Sequence, residues 1–99
     1  MNSVGHQGDI LVREMRIVNR QGLHARPVMK FVDAAGRFGS QVRVDKGEGT
    51  EQVDGKSPME MMLLEAPHGT LLRISAAGED AAEVLDVLEA LIRGGFGEE

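Results

Sequence analysis

Along this chain the apolar residues change their repeat, from every second residue to every third or fourth and back again, and the order of those changes constrains the fold more than any other feature. From Arg13 to Val18 the residues alternate, with Met15 and Ile17 on one side and Glu14 and Arg16 on the other, which predicts a half-buried strand. The turn Asn19-Arg20-Gln21-Gly22 follows. Val28, Phe31, Val32 and Ala35 then recur at i, i+3, i+4 and i+7, one face of a helix. Pro27 fits only the first turn of that helix, where a missing N–H costs nothing. The helix is therefore expected to begin close to His24 and to end near Gly36.

Gln41 to Asp45, with Val42 and Val44 on one side, and Glu51 to Asp54 are two short strand candidates, joined into a hairpin by the turn-rich Lys46-Gly47-Glu48-Gly49. After Asp54-Gly55, Ser57-Pro58-Met59-Glu60 has the form of a capping box with proline at the first helical position, opening a short helix to about Leu64. Pro67-His68-Gly69 breaks it, and Thr70 to Ala76 alternates again with Leu72 and Ile74 inward. Beyond Gly78 a last helix carries Ala81, Val84, Leu85, Leu88, Leu91 and Ile92 on one stripe, and Gly94-Gly95 ends it. The order predicts an α+β fold (β-α-β-β-α-β-α) in which one four-stranded antiparallel sheet carries three helices on a single face. With 99 residues there is one domain, because a second core would need roughly 50 residues of its own. Residues 1–12, polar and without periodicity, read as a flexible extension in which His6 is a solvated histidine. Residues 13–94 form the domain and 95–99 a C-terminal tail.

The formal net charge of −5 argues against broad nucleic-acid binding, which needs a basic face to neutralise phosphates. The absence of cysteine removes disulfides, thiol nucleophiles and thiolate metal sites together. His6, His24 and His68 lie far apart in sequence, and neither a carboxylate nor a second histidine stands three or four residues after His24, so neither a metal nor a cofactor is expected. No apolar run approaches the roughly 20 residues that span a bilayer. The first residues lack the basic start and apolar stretch of a signal peptide. A cytoplasmic monomer that meets neither membrane nor nucleic acid is the expectation.

Gly22-Leu23-His24-Ala25-Arg26-Pro27 places a histidine at a helix start, where the first backbone N–H groups lack intrahelical partners and attract anions. A neutral imidazole there has a nitrogen free to act as nucleophile, and Arg26 can stabilise the oxygens of a phosphoryl group once attached. The same residue types fit a histidine that merely caps the helix beside a solvated arginine. With Gly-Leu-His-Ala-Arg-Pro between first strand and first helix, the sequence resembles the HPr family, phosphocarriers of the phosphoenolpyruvate-dependent sugar phosphotransferase system. The similarity runs from about Glu14 to Ile92 and includes Gly55-Lys56-Ser57 and Ile74-Ser75-Ala76-Ala77-Gly78-Glu79-Asp80. The resemblance implies an HPr-like open-faced sandwich and a stoichiometric carrier rather than a turnover enzyme. It further implies that His24, phosphorylated on Nδ1 with Arg26 as charge partner, takes the group from enzyme I and gives it to a sugar-specific enzyme IIA.

In many family members the serine matching Ser57 is phosphorylated by HPr kinase/phosphorylase, which can recruit a catabolite-control transcription regulator; the resemblance makes Ser57 a regulatory candidate. Here Pro58 and Glu60 depart from the usual apolar or small residues, and Glu60 would repel a phosphate. Read without the resemblance, Ser57 is an N-cap. Met59 and Met62 resemble the exposed apolar residues with which family members dock their partners, although at this spacing they equally fit a buried stripe, with Met61 or Leu64 as the alternative. Two other readings stand beside the sugar relay: a regulatory paralogue of the nitrogen-related phosphotransferase branch, and a binding module that never carries phosphate.

Overall fold

The protein is described by a computed structural model, covering residues 10–98. Its sheet forms around Leu71–Ala77 (β4), whose alternate residues Leu72, Ile74 and Ala76 are fully buried. On one side β4 pairs antiparallel with Ile10–Arg16 (β1), and on the other with Gln41–Asp45 (β2), which also pairs antiparallel with Val53–Asp54 (β3). The order across the sheet is β1-β4-β2-β3. Three helices, Ala25–Gly36 (α1), Pro58–Met62 (α2) and Ala81–Arg93 (α3), complete the predicted succession of elements.

The apolar stripe of α1 meets that of α3 over the sheet: Val28, Phe31 and Ala35 on one, Val84, Leu85, Leu88 and Ile92 on the other, all buried with Val42, Val44, Leu72 and Ile74 beneath them. Burying one such aliphatic or aromatic side chain is worth about 1.5–3 kcal/mol, so this shared layer dominates the stability of the fold. The phase of α2 is settled by the same core. Met61 is fully buried and Leu64 nearly so, whereas Met59, Met62 and Leu63 face outward.

The corner between α1 and β2 is tied to the start of α3. Asp80 accepts the N–H of Gly39 at 3.0 Å, the N–H of Ser40 at 2.9 Å and the Ser40 hydroxyl. These donors hold the Asp80 carboxyl below the usual carboxylate range, the Ser40 hydroxyl most strongly and the Gly39 N–H next.

Element ends depart from the sequence expectations where pairing and burial disagree. The first strand starts at Ile10 rather than Arg13, so residues 10–12, read as part of the extension, belong to the sheet opposite Ala77, Ala76 and Ser75. Their alternation is invisible because Ile10, Leu11 and Val12 are all exposed and none marks a buried face; backbone pairing with β4 places them in the sheet. Strand β3 keeps only Val53 and Asp54, and α2 stops at Met62 as the N–H groups of Leu63 and Leu64 close onto the carbonyls of Glu60 and Met61. His6 lies outside the described residues.

Candidate functional site

The loop leading to His24 is shaped by Gly22. Its φ of +74° lies in the left-handed region, and a Cβ there would come within 2.6 Å of the Ala66 carbonyl and 2.8 Å of Pro67 Cα. Only glycine lets the chain lie this close to the segment before β4. The next N–H, that of Leu23, donates to the Ala66 carbonyl at 2.8 Å, and the Leu23 side chain is buried as a plug. His24 follows at the N-cap of α1 with extended backbone (φ −90°, ψ −168°) and makes no side-chain cap bond of its own.

The helical ladder begins with the Val28 N–H donating to the His24 carbonyl at 3.0 Å. Pro27 has no N–H, so the N–H groups of Ala25 and Arg26 are left at the helix end without intrahelical partners. They open beside a cleft of about 680 Å³ lined by Arg20, Gln21, His24, Arg26, Lys30, Gly97 and Glu98. Three cations thus gather at the positive end of a helix dipole in a chain whose formal charge is −5. Such a setting draws in an anion and holds its oxygens.

One wall of the cleft is the segment read from sequence as a tail. Past Gly94 the chain turns back through Gly95 (φ +64°), Phe96 (φ +58°) and Gly97 (φ +77°). The left-handed conformation costs Phe96 about 1–2 kcal/mol. Its ring is only 1% exposed, and that burial returns about 1.5–3 kcal/mol, which offsets the strain. Lys30 clamps the turn, its Nζ donating to the Phe96 carbonyl at 2.6 Å.

The turn delivers Glu98 to the histidine. Nε2 of His24 lies 3.1 Å from Glu98 Oε1, which also accepts from Asn19 Nδ2 at 3.1 Å. The His24 hydrogen bond, and after it the Asn19 bond and the Arg26 charge, hold the Glu98 carboxyl below its ordinary value. Because an ionised carboxylate only accepts, the contact puts a proton on Nε2, and in the neutral ring the lone pair then sits on Nδ1.

His24 and Arg26, singled out in the sequence, therefore share one cleft. Ser57, Met59 and Met62 do not line it. Ser57 caps α2, its Oγ accepting the Glu60 N–H at 3.2 Å, but the reciprocal half of the capping box is absent: the Glu60 carboxylate accepts instead from the Asp54 N–H at 2.9 Å. Met59, 76% exposed, and Met62 form the outer face of α2, which packs on α1. Sequence reasoning missed Asn19, Arg20, Lys30 and Glu98. Lys30 was within reach, since it stands one helical turn after Arg26 on the same face. Among the described residues no cluster of His, Asp and Glu side chains could hold a metal ion, and no helix is long and apolar enough to cross a membrane.

Comparison with known proteins places this geometry in a family. A family model described as the PTS HPr component phosphorylation site matches residues 11–94. The phosphocarrier protein HPr of Pseudomonas aeruginosa is 48% identical over 86% of this chain and 93% of its own length. The phosphocarrier protein NPr of Proteus mirabilis is 38% identical over 88% of this chain and 96% of its own. The crystal structure of HPr-C-His from Thermoanaerobacter tengcongensis superposes with a TM-score of 0.83 at 38% identity, covering 90% of this chain and 98% of that one. The family model's match over residues 11–94, which contain His24 and its loop, together with similarity in sequence and fold over most of the chain, makes this chain a member of the HPr family of phosphotransferase-system phosphocarriers.

Proposed function

We propose that His24 carries a phosphoryl group on Nδ1 between the phosphohistidine of enzyme I and an acceptor enzyme IIA in the cytoplasm. The observation that supports this reading is His24 at the head of α1, sharing one cleft with the Arg26 guanidinium and bonded through Nε2 to Glu98, which leaves the lone pair of the neutral ring on Nδ1. A phosphoryl group in transfer spreads charge over its oxygens, so donors fixed in advance lower the barrier without reorganising. The protein is consumed and regenerated stoichiometrically rather than turning over substrate alone. His24→Ala is expected to abolish labelling by enzyme I and phosphoenolpyruvate; a variant that takes up label at the wild-type rate ends this reading.

Met59 and Met62 serve as a docking face, because flexible thioethers adapt to a donor and to several acceptors in turn. Ser57 is the candidate regulatory site for HPr kinase/phosphorylase, through which a catabolite-control transcription regulator would be engaged. Its hydroxyl is occupied as a cap, and a phosphate there would face the Glu60 carboxylate, so labelling should be slow. A second reading, the regulatory nitrogen branch, is favoured by the similarity to NPr. Transfer of label to a sugar-specific enzyme IIA, measured against its nitrogen-branch counterpart, decides between them.

A further inference from the structure

We propose that Glu98, anchored by Asn19, is a positioning residue for the His24 ring: it accepts the Nε2 proton, turns Nδ1 toward the cleft, and balances the positive charge that develops on the ring as the phosphoryl group arrives. The assignment rests on reading His24 as the carrier. Asn19 is 1% exposed and uses its amide nitrogen twice, toward the Gly22 carbonyl at 2.7 Å and toward Glu98 at 3.1 Å. Its own carbonyl oxygen, Oδ1, is left buried without a partner among the described residues. Turning the amide over would set that oxygen against two acceptors, so its orientation is fixed by them. A buried, half-satisfied amide is costly, and here it holds one thing in place besides its own loop, the carboxylate on His24.

The chemistry explains why a carboxylate belongs there. When Nδ1 attacks the phosphorus of a donor phosphohistidine whose other ring nitrogen is protonated, the new N–P bond forms as the donor P–N bond breaks. The bonding pair returns to the donor ring, which leaves as neutral imidazole. The positive charge lost by the donor ring is gained by that of His24, which keeps its Nε2 proton. Around it Arg20 from the preceding loop and Arg26 and Lys30 from α1 are cations, and Glu98 is the carboxylate among the residues lining the cleft. Without it a charged ring would face three like charges. The labour divides across the imidazole: the cations hold phosphoryl oxygens on the Nδ1 side, and Glu98 holds the ring on the Nε2 side. Transfer onward to an acceptor reverses the same steps.

The test uses the full chain with Glu98→Gln, Glu98→Ala and Asn19→Ser. Phosphorylation by enzyme I and phosphoenolpyruvate gives kcat and KM, and hydrolysis of the isolated phosphoprotein is followed between roughly pH 5 and 9. Both Glu98 variants should lose about tenfold in kcat at unchanged KM. Their phosphohistidine should be slower to hydrolyse at neutral pH, because the positively charged ring from which the phosphoryl group leaves is no longer paired with a carboxylate. Asn19→Ser should move both readouts in the same direction by less. Circular dichroism checks that each variant is folded, and since Glu98 lies outside the core its two variants decide the outcome. Unchanged kcat, a loss confined to KM, or an unchanged hydrolysis profile overturns the assignment. A wild-type protein that takes no label instead overturns the carrier reading itself.

Discussion

Gly22 illustrates how a residue without a side chain governs the one after next. With φ at +74° and the Ala66 carbonyl 2.6 Å from where a Cβ would sit, Gly22→Ala must move backbone, not a flexible side chain. We expect it to destabilise the protein by at least about 2 kcal/mol, read as a lowered denaturation midpoint in urea, and to slow phosphorylation because His24 rides on the displaced loop. Arg26→Ala tests the opposite kind of residue, one with little structural load. It should leave the urea midpoint unchanged and cut the labelling rate by about a hundredfold, the usual loss when one charge-stabilising donor is removed from a transfer site.

Among the elements, α2 is the shortest of the three α-helices and depends most on its ends. Ser57→Ala removes the acceptor for the Glu60 N–H and should cost about 1 kcal/mol by thermal unfolding, whether or not the hydroxyl is ever modified. Glu60→Gln separates the cap from the charge. It keeps an acceptor for the Asp54 N–H, and labelling of Ser57 by HPr kinase with ATP should rise; no change relative to wild type would mean that Glu60 is not what opposes the phosphate.

The elements were also what the sequence displayed best. α1, α3 and β4 follow from periodicity because each buries one face, and Pro27, Gly22 and His24 fix the head of α1 by local stereochemistry. Ile10 to Val12 escaped because backbone pairing leaves no trace in side-chain pattern when every residue is exposed. Glu98 escaped for a different reason. Its approach to His24 depends on the left-handed turn at Gly95-Phe96-Gly97, and a single phenylalanine between glycines does not say which way the chain will turn.

For the whole molecule, pH is the useful probe. Asp80 and Glu98 both have carboxyls held below their ordinary values, so each stabilises the folded state fully above its unfolded value, near 4, and loses that contribution as pH falls through the folded one. Acidification should therefore loosen two long-range ties, the clasp from Asp80 to Gly39 and Ser40 and the return of the tail to His24. Asp80→Asn should flatten the decline of thermal stability below about pH 5, while Glu98→Gln should do so less, because its tie holds only the turn after α3 rather than two elements of the core. A decline identical to wild type in the Asp80 variant would show that other carboxylates set the acid limit.

The distance along the chain between the two halves of the cleft has a consequence for biosynthesis. His24 and Glu98 are 74 residues apart in sequence. At translation rates of about 5–20 residues per second, His24 is made some 4–15 s before its partner. During that interval on the ribosome, the imidazole is present but lacks its carboxylate. Maturation of this site thus waits on a residue made after every strand and helix of the domain, and a chain cut short after Gly94 would lack a wall of the cleft together with the buried Phe96.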